Sequence, residues 1–500
     1  MAYDVVIIGA GIIGTSIARS LSRYQLSVAL LEKENDVAMG CTKANSAIVH
    51  GGYAEAHAKL KGRLCYKGRK KFDELDAELH FGFEKIGSLV LAFEEEQIPK
   101  LKDLYDNGLA NGLDDLEILD HDQIMAMEPN INPEVKAALY CKGAGVCSPY
   151  EMAIAMAENA VKNGVELYLE TGVTGIQRLD DGRLAVETDS GKVFKSDYVI
   201  NASGVNSGDV SAMMGIDDFK IIPRSGQYLL MARGTGKLVN NVLFQMPTKM
   251  GKGILVSPTY HGNLILGPDA VNDDEVDKST TEERLLKIYQ EAQLTTDKMD
   301  IKTFIRSFTG VRPVSTTDDF IVEATREKGF INCAGIQSPG LTSSPAIAEM
   351  VVGILKDQGV ALVEDPAYDP NRKPIIEKKE LLPFKAIKDK INIPSSPDKI
   401  ICRCEQVTEA TIVDAMSRGI PVTTIDGVKR RTRAGMGWCQ GTFCRPRVAA
   451  VMEQVLGHPV DPSTDVEHSG VNRIGKNAIV DYIKEHGGEL KAAGDYKVTE

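Results

Sequence analysis

No window of this 500-residue chain approaches the ~18 to 20 continuous apolar residues that a membrane-spanning helix needs, so no span is expected. The N-terminus runs from Met1-Ala2-Tyr3-Asp4 straight into an apolar segment without a basic leader, and a cytoplasmic location is expected. Internal repeats and low-complexity tracts are missing too. Positive charge is in deficit, 58 Lys and Arg against 70 Asp and Glu for a net charge of -12, which excludes a general attraction to nucleic acid or anionic lipid. The nine cysteines are an odd number, five of them scattered and four packed near the C-terminus, a pattern of thiols and a ligand cluster in a reducing compartment instead of a disulfide framework. What remains, 43% hydrophobic and 26% charged, is a globular chain too long for one core and suited to two or three domains.

The clearest positive signal lies at the start. Asp4-Val5-Val6-Ile7-Ile8 predicts a buried strand that turns through Gly9-x-Gly11-x-x-Gly14 directly into a helix, and Ser27-Val28-Ala29-Leu30-Leu31-Glu32 predicts the next parallel strand. The glycines permit a tight turn and bring the backbone N–H groups of Ile12, Ile13 and their neighbours up to a pyrophosphate at the positive end of the helix. Glu32, with Lys33 beside it, is expected to hold the ribose hydroxyls. This turn alone does not separate NAD from FAD. Two later returns favour FAD: the strand ending in Ala202 and Gly204, and the strand ending in Gly335, followed by a helix start at Gly340, Leu341 and Thr342 that would face a flavin ring. No second Gly-x-Gly-x-x-Gly follows, so no separate nicotinamide site is expected. Further strand patterns alternate with helical stretches around Leu60 to Leu79, Tyr150 to Asn163, Glu282 to Ala292 and Ser344 to Lys356, which places the chain in the α/β class.

A proline- and lysine-rich passage over residues 365–399 reads as a connector. Beyond it, residues 400–450 carry eight Lys or Arg against four Asp or Glu, opposite in sign to the chain as a whole. Cys402-x-Cys404, 34 further residues and then Cys439-x-x-x-x-Cys444 provide four thiolates in two close pairs, the ligand count of a [2Fe–2S] centre. Zinc is the alternative, although structural zinc pairs more often keep two residues between cysteines. The basic run Lys429, Arg430, Arg431 and Arg433 either offsets the charge of a thiolate-bound cluster, docks an acidic partner, or is a plain solvated face.

Five segments carry a resemblance: residues 42–52 (TKANSAIVHGG), 60–65 (LKGRLC), Pro258-Thr259-x-x-Gly262, Gly310-Val311-Arg312-Pro313 and Ser338-Pro339-Gly340-Leu341-Thr342. Over roughly residues 1–360 the chain resembles the D-amino-acid-oxidase-like FAD-dependent oxidoreductases, in the branch of L-2-hydroxyglutarate oxidases and FAD-dependent glycerol-3-phosphate dehydrogenases. The resemblance implies that Thr42, Lys43, Ser46 and the backbone near His50 lie along the flavin, with Val173 on the adenine side. Residues 400–455 resemble bacterioferritin-associated-ferredoxin-like modules, which implies iron–sulfur. The implied architecture is a Rossmann-like FAD-binding domain (1–85, 145–215 and 301–364), an inserted mixed-sheet substrate or cap domain (86–144 and 216–300), a linker (365–399), a small helical [2Fe–2S] domain (400–455) and a C-terminal tail (456–500). One departure stands out: where glycerol-3-phosphate enzymes of the best-known kind place an arginine soon after His-Gly-Gly, this chain has Tyr53-Ala54-Glu55-Ala56, as in the hydroxyglutarate branch.

Oxidising a secondary alcohol on flavin requires a hydride acceptor, a base for the hydroxyl proton and a cation for the substrate's anionic group. Arg312 is the expected clamp, against the alternative of a surface pair with Asp318 or Asp319. His50 is the expected base, against an orienting role, and His261 is either a turn residue or a second reach toward the substrate. Lys252 and Arg224 are second-tier cations, and Cys41 reads as an ordinary buried thiol. A cluster behind a flavin turns a two-electron donor into a one-electron exit, so a dehydrogenase with a protein acceptor is expected, either a partner flavoprotein or a quinone-linked subunit through which the chain would reach a membrane, within an oligomer or multi-subunit complex. The flavin-plus-cluster order, shared with anaerobic glycerol-3-phosphate dehydrogenase large subunits, favours glycerol 3-phosphate as the small anionic hydroxylated substrate. A 2-hydroxyacid dehydrogenase is the rival, an enzyme for an imino or opine-type acid a third reading, and a non-catalytic electron-transfer subunit the reading from another class.

Overall fold

The computed structural model describes residues 1–246, 253–376, 380–462 and 473–486. Two large sheets organise the chain ahead of the cysteine-rich region. In the first, β1 (Ala2–Ile8) lies at the centre because its apolar run can be buried on both faces, and Val5, Val6 and Ile7 are fully buried. It pairs in parallel with β2 (Val28–Leu31) on one side and the strand Val193–Asn201 on the other. The latter pairs in parallel with Phe330–Ala334, so both later returns seen in the sequence end beside the first glycine turn. Helix α1 (Ile12–Leu21), Pro149–Lys162 and Gly340–Asp357 pack Ile17, Met152, Ile347 and Val351 over this sheet.

The second sheet has nine strands, and its longest are the antiparallel pair Ile221–Met231 and Phe304–Ser315. Here the fold departs from expectation: residues 304–315, grouped with the FAD-binding domain in the sequence, belong to the cap sheet. Alternation along a 12-residue strand fits either sheet; the continuous partner from Ile221 to Met231 decides it. The helical stretch from Leu60 to Leu79 is two helices, Leu60–Arg69 and Phe72–Leu79. The tail also differs, since Lys476–His486 is a helix whose Ile479, Val480 and Ile483 pack with Leu285 and Ile288 of the cap. The linker contains the helix Phe384–Ile391, and its first part is strapped down by Arg372 on Glu158 at 2.5 Å. The cysteine-rich region combines three helices, Glu409–Met416, Ile425–Thr432 and Arg445–Leu456, with a two-stranded sheet, Ile400–Cys402 with Val407–Thr408. No helix of the described residues is long and apolar enough to cross a membrane.

Candidate active site and cluster site

A continuous cavity of about 3000 Å³ opens from the β1–α1 turn, passes between the two sheets and reaches the cysteine-rich region. The turn is shaped for close backbone approach. Gly9 has φ +99°, and a Cβ there would stand 2.6 Å from the Ala202 carbonyl oxygen, while a Cβ at Gly14 would fall 1.8 Å from that of Gly9. Gly11 begins α1 with no side-chain cap of its own, which leaves the positive helix end facing the cavity. The Thr42 hydroxyl accepts the Ile12 N–H at 3.0 Å and so ties the loop after β2 to that turn. Glu32 Oε2 accepts the Ala10 N–H at 2.8 Å, and burial pushes its carboxyl above the ordinary range.

Of the residues expected to hold the cofactor, Gly9, Gly11, Ile12, Ile13, Glu32, Lys33, Thr42, Lys43, Ser46, Val173, Ala202, Gly204, Gly340 and Leu341 all line the cavity. Three do not. Gly14 supports the turn from behind, Gly335 packs against Ser315, and the buried Thr342 hydroxyl accepts the His50 N–H at 2.9 Å and so ties the histidine segment to the Gly340 helix start. A helix start facing the cavity, a turn that excludes side chains at Gly9 and Gly14 and a long cavity with Glu32 at its wall fit a dinucleotide such as FAD.

His50 lines the same cavity. Its ring stacks on Phe244 with centroids 5.9 Å apart, and its Nε2 lies 3.3 Å from the Ser338 hydroxyl. Arg312 lies on Phe304–Ser315 and also lines the cavity, with Nη2 donating to the Asp269 carbonyl at 2.7 Å. The surface alternative for Arg312 fails: Asp318 is taken by Lys59 and Lys61, and Asp319 accepts the Leu60 and Lys61 N–H groups. The Asp269 carboxylate is itself held by Arg284 at 2.6 Å. Directly across the strand pair from Arg312 stands Arg224, another lining residue, whose Nε donates to Asn272 at 2.6 Å. Burial and the charge of Arg312 hold the Arg224 guanidinium below its usual range. A Cβ at Gly226 would come within 2.5 Å of Arg312 Nη2, so the glycine makes room for the guanidinium. Two like charges face each other here in a cavity wall, an arrangement an anion would relieve.

His261 sits in the turn that joins Leu255–Pro258 to Leu264–Gly267, one of the two settings considered in the sequence, and it lines the cavity. Its Nε2 is 2.8 Å from Glu151, it is buried, and burial together with Arg433 holds it below the usual histidine range. Glu405 receives Arg433 at 2.9 Å and Arg233 at 3.0 Å, so this histidine belongs to a buried polar seam between the cap and the cysteine-rich region. Lys252 lies outside the described residues. Cys41 lines the cavity, and burial pushes its thiol up while the Arg312 charge opposes that rise.

The four C-terminal thiols converge in two pairs. Cys404 Sγ lies 3.7 Å from Cys439 Sγ, and Cys402 shares a hydrogen bond with Cys444. That bond, with backbone N–H groups of Gly435 and Glu405, holds the Cys402 thiol down to about 6. N–H donors aimed at sulfur stabilise thiolates, the form that binds metal. Among the described residues no three Cys, His, Asp or Glu side chains converge as a single metal ion would require. Two facing thiol pairs suit a binuclear cluster better than one zinc ion.

The basic run is the largest surprise for the sequence reading. Arg430 and Arg431 are 2% exposed, and both grip Asp36 in the loop after β2: Arg430 Nη2 at 2.6 Å, Arg431 Nη1 at 2.6 Å and Nη2 at 2.9 Å. Burial alone would raise the Asp36 carboxyl, yet the two guanidinium groups outweigh it and hold it below the ordinary range. Asp426 holds Lys429 at 2.5 Å and approaches Lys43 at 3.8 Å. The run is therefore neither a solvated face nor open to an outside partner. No local signal could have found Asp36, because the pairing joins residues almost 400 positions apart.

Comparison with known proteins agrees with both halves. The family description "FAD dependent oxidoreductase" matches residues 4–354, and "BFD-like [2Fe-2S] binding domain" matches residues 400–454. A glycerol 3-phosphate dehydrogenase of Caloramator mitchellensis is 46% identical over 464 residues, 91% of this chain and 95% of that protein. A glycerol 3-phosphate oxidase of Mycoplasma genitalium is 33% identical over 361 residues, 70% of this chain and 94% of its own. The human mitochondrial L-2-hydroxyglutarate dehydrogenase is 30% identical over 285 residues, 54% of this chain and 61% of that one. Among solved structures, dithionite-reduced L-alpha-glycerophosphate oxidase from Mycoplasma pneumoniae with FAD bound superposes with a TM-score of 0.71 at 30% identity, covering 74% of this chain and 98% of that chain.

Proposed function

The chain belongs to the FAD-dependent oxidoreductase family and carries a BFD-like [2Fe–2S] domain, and on that premise we propose that it oxidises glycerol 3-phosphate to dihydroxyacetone phosphate and releases the electrons singly to a protein acceptor. The observation that carries the substrate is the cross-strand pair Arg224 and Arg312 in the cavity wall, two cations with no carboxylate of their own among the described residues, suited to a phosphate dianion. The name of the 46% identical relative supports the same reading. The cofactor residues would be the glycine turn, Glu32, Thr42, Lys43, Ser46 and the Gly340 helix start, and the cluster ligands Cys402, Cys404, Cys439 and Cys444. When bound, FAD supplies a two-electron hydride acceptor and the cluster a one-electron outlet.

The chain's own residues do the rest. Arg312 and Arg224 fix the anionic end, which leaves one orientation for the carbinol carbon. His50 takes the hydroxyl proton, its Nε2 exchanging the Ser338 hydroxyl 3.3 Å away for the substrate's, with the Phe244 face limiting rotation of the ring. Thr342 holds the backbone of that histidine.

A 2-hydroxyacid of the L-2-hydroxyglutarate type is the second reading, favoured by the Tyr53-Ala54-Glu55-Ala56 segment, where Glu55 pairs with Lys61 at 3.2 Å. Anaerobic titration decides between them: glycerol 3-phosphate is expected to bleach the flavin absorbance of the holoenzyme at micromolar to millimolar concentrations, and bleaching by the hydroxyacid alone would overturn the first reading.

A further inference from the structure

We propose that the face of the cluster domain bearing Arg403, Trp438, Phe443 and Arg447 is the docking surface for an acidic one-electron carrier protein; this rests on the reading that electrons leave through the cluster.

The four residues flank the thiols along the chain, and Trp438 also lines the mouth of the cavity. Arg403 lies between Cys402 and Cys404, Trp438 precedes Cys439, Phe443 precedes Cys444, and Arg447 lies one helical turn beyond it. The contact between Cys404 and Cys439 holds the two loops together. Phe443 is 74% exposed and Trp438 55% exposed, and Arg403 and Arg447 are also exposed. A ring left in water beside a cluster ligand, as at Phe443, costs free energy unless a partner covers it. Short-lived electron-transfer contacts are small and depend on such a patch with a charged rim.

Charge selects the partner. All four carboxylates between residues 400 and 450 are engaged: Glu405 with Arg433 and Arg233, Asp426 with Lys429 and Arg430, Asp414 with Arg418 at 2.5 Å, and Glu409 with the Ser395 hydroxyl at 2.6 Å. Among the described residues Arg403 and Arg447 have no carboxylate at ion-pair distance, and Lys476 adds a further cation 3.6 Å from the Trp438 ring centroid. On a protein of net charge -12 this is a local positive patch, which steers an acidic carrier to the cluster and turns a basic one away. Each encounter moves one electron, so two oxidised carriers are reduced for every alcohol converted to ketone, with two protons released.

The test uses the holoenzyme, reduced anaerobically either with glycerol 3-phosphate or photochemically, and mixed with an oxidised acidic blue-copper protein or an oxidised basic c-type cytochrome. At low ionic strength the copper protein is expected to be reduced about tenfold faster than the cytochrome, the advantage shrinking as salt is added. Phe443→Ser and Arg447→Glu are each expected to slow the copper protein about tenfold and to leave reduction of a small uncharged quinone unchanged. Equal rates for the two carriers, a faster cytochrome, or unaltered rates in both variants would overturn the docking surface. Because photochemical reduction bypasses the substrate, a charge preference seen only in that arm would overturn the substrate reading and uphold the surface.

Discussion

Arginine does opposite work in two parts of this molecule. In the cap sheet, Arg224 and Arg312 face one another across a strand pair and line a cavity, with their nearest carboxylates committed elsewhere. In the cluster domain, Arg430 and Arg431 are closed off from water and converge on the carboxylate of Asp36, with Asp426 also at Arg430 and Glu158 near Arg431. In the proposed function the first pair holds the substrate's anion, whereas the second is a staple already fastened. What separates them is whether a carboxylate from another part of the chain arrives at hydrogen-bond distance, not the residue type or the local sequence.

Removing Arg312 should have the largest effect. Arg312→Ala is expected to lower kcat/KM for glycerol 3-phosphate by about 10²- to 10³-fold through the loss of paired charged hydrogen bonds, with the melting temperature nearly unchanged. A steady-state comparison alongside a thermal scan checks both halves, and a large fall in stability would place Arg312 among the staples. Asp36→Ala should behave in reverse. Removing the carboxylate that both buried guanidinium groups grip costs about 3–5 kcal/mol, less whatever Asp426 and Glu158 still supply to Arg430 and Arg431, so the melting temperature should drop and FAD should dissociate more readily, since the Asp36 loop runs into Thr42 and Lys43, while KM of the loaded enzyme holds. Flavin fluorescence released on dilution reads this directly.

Smaller is the effect of Arg224→Ala, expected to raise KM about tenfold with kcat little changed, because one of two cations remains. The last contrast is in pH. The Asp36 carboxyl is held below the ordinary value of about 4, so its stabilising contribution is complete above that value and is lost as pH falls through the lowered folded pKa. Acid unfolding of the wild type should show this component below about pH 4, and Asp36→Asn should lack it.

The sheet that carries the glycine turn was legible because its signals are local: an apolar strand, three glycines at fixed spacing and an acidic strand end within about thirty residues. The cysteine quartet was legible for a related reason, since ligand chemistry restricts residue type and count. The strand Phe304–Ser315 was misassigned because its alternating pattern satisfies either sheet, and pairing with Ile221–Met231 is a long-range choice. The turn position of His261 was readable locally, but its pairing with Glu151, one hundred and ten positions earlier, was not. The bond from the His50 N–H to the Thr342 hydroxyl joins residues 292 positions apart and left no local sign.

Periodicity, glycine spacing and cysteine count, all written within short stretches of chain, by themselves determined a dinucleotide-binding start and a thiol cluster at the other end. Only the tertiary structure decided which cations are spent on the protein and which remain for a ligand, how Arg224 comes to stand opposite Arg312, and that the cluster domain grips the loop beside the cofactor turn. Electrostatic neutralisation depends on distances between residues remote in sequence, and those distances exist only once the sheets have paired and the domains have closed on one another.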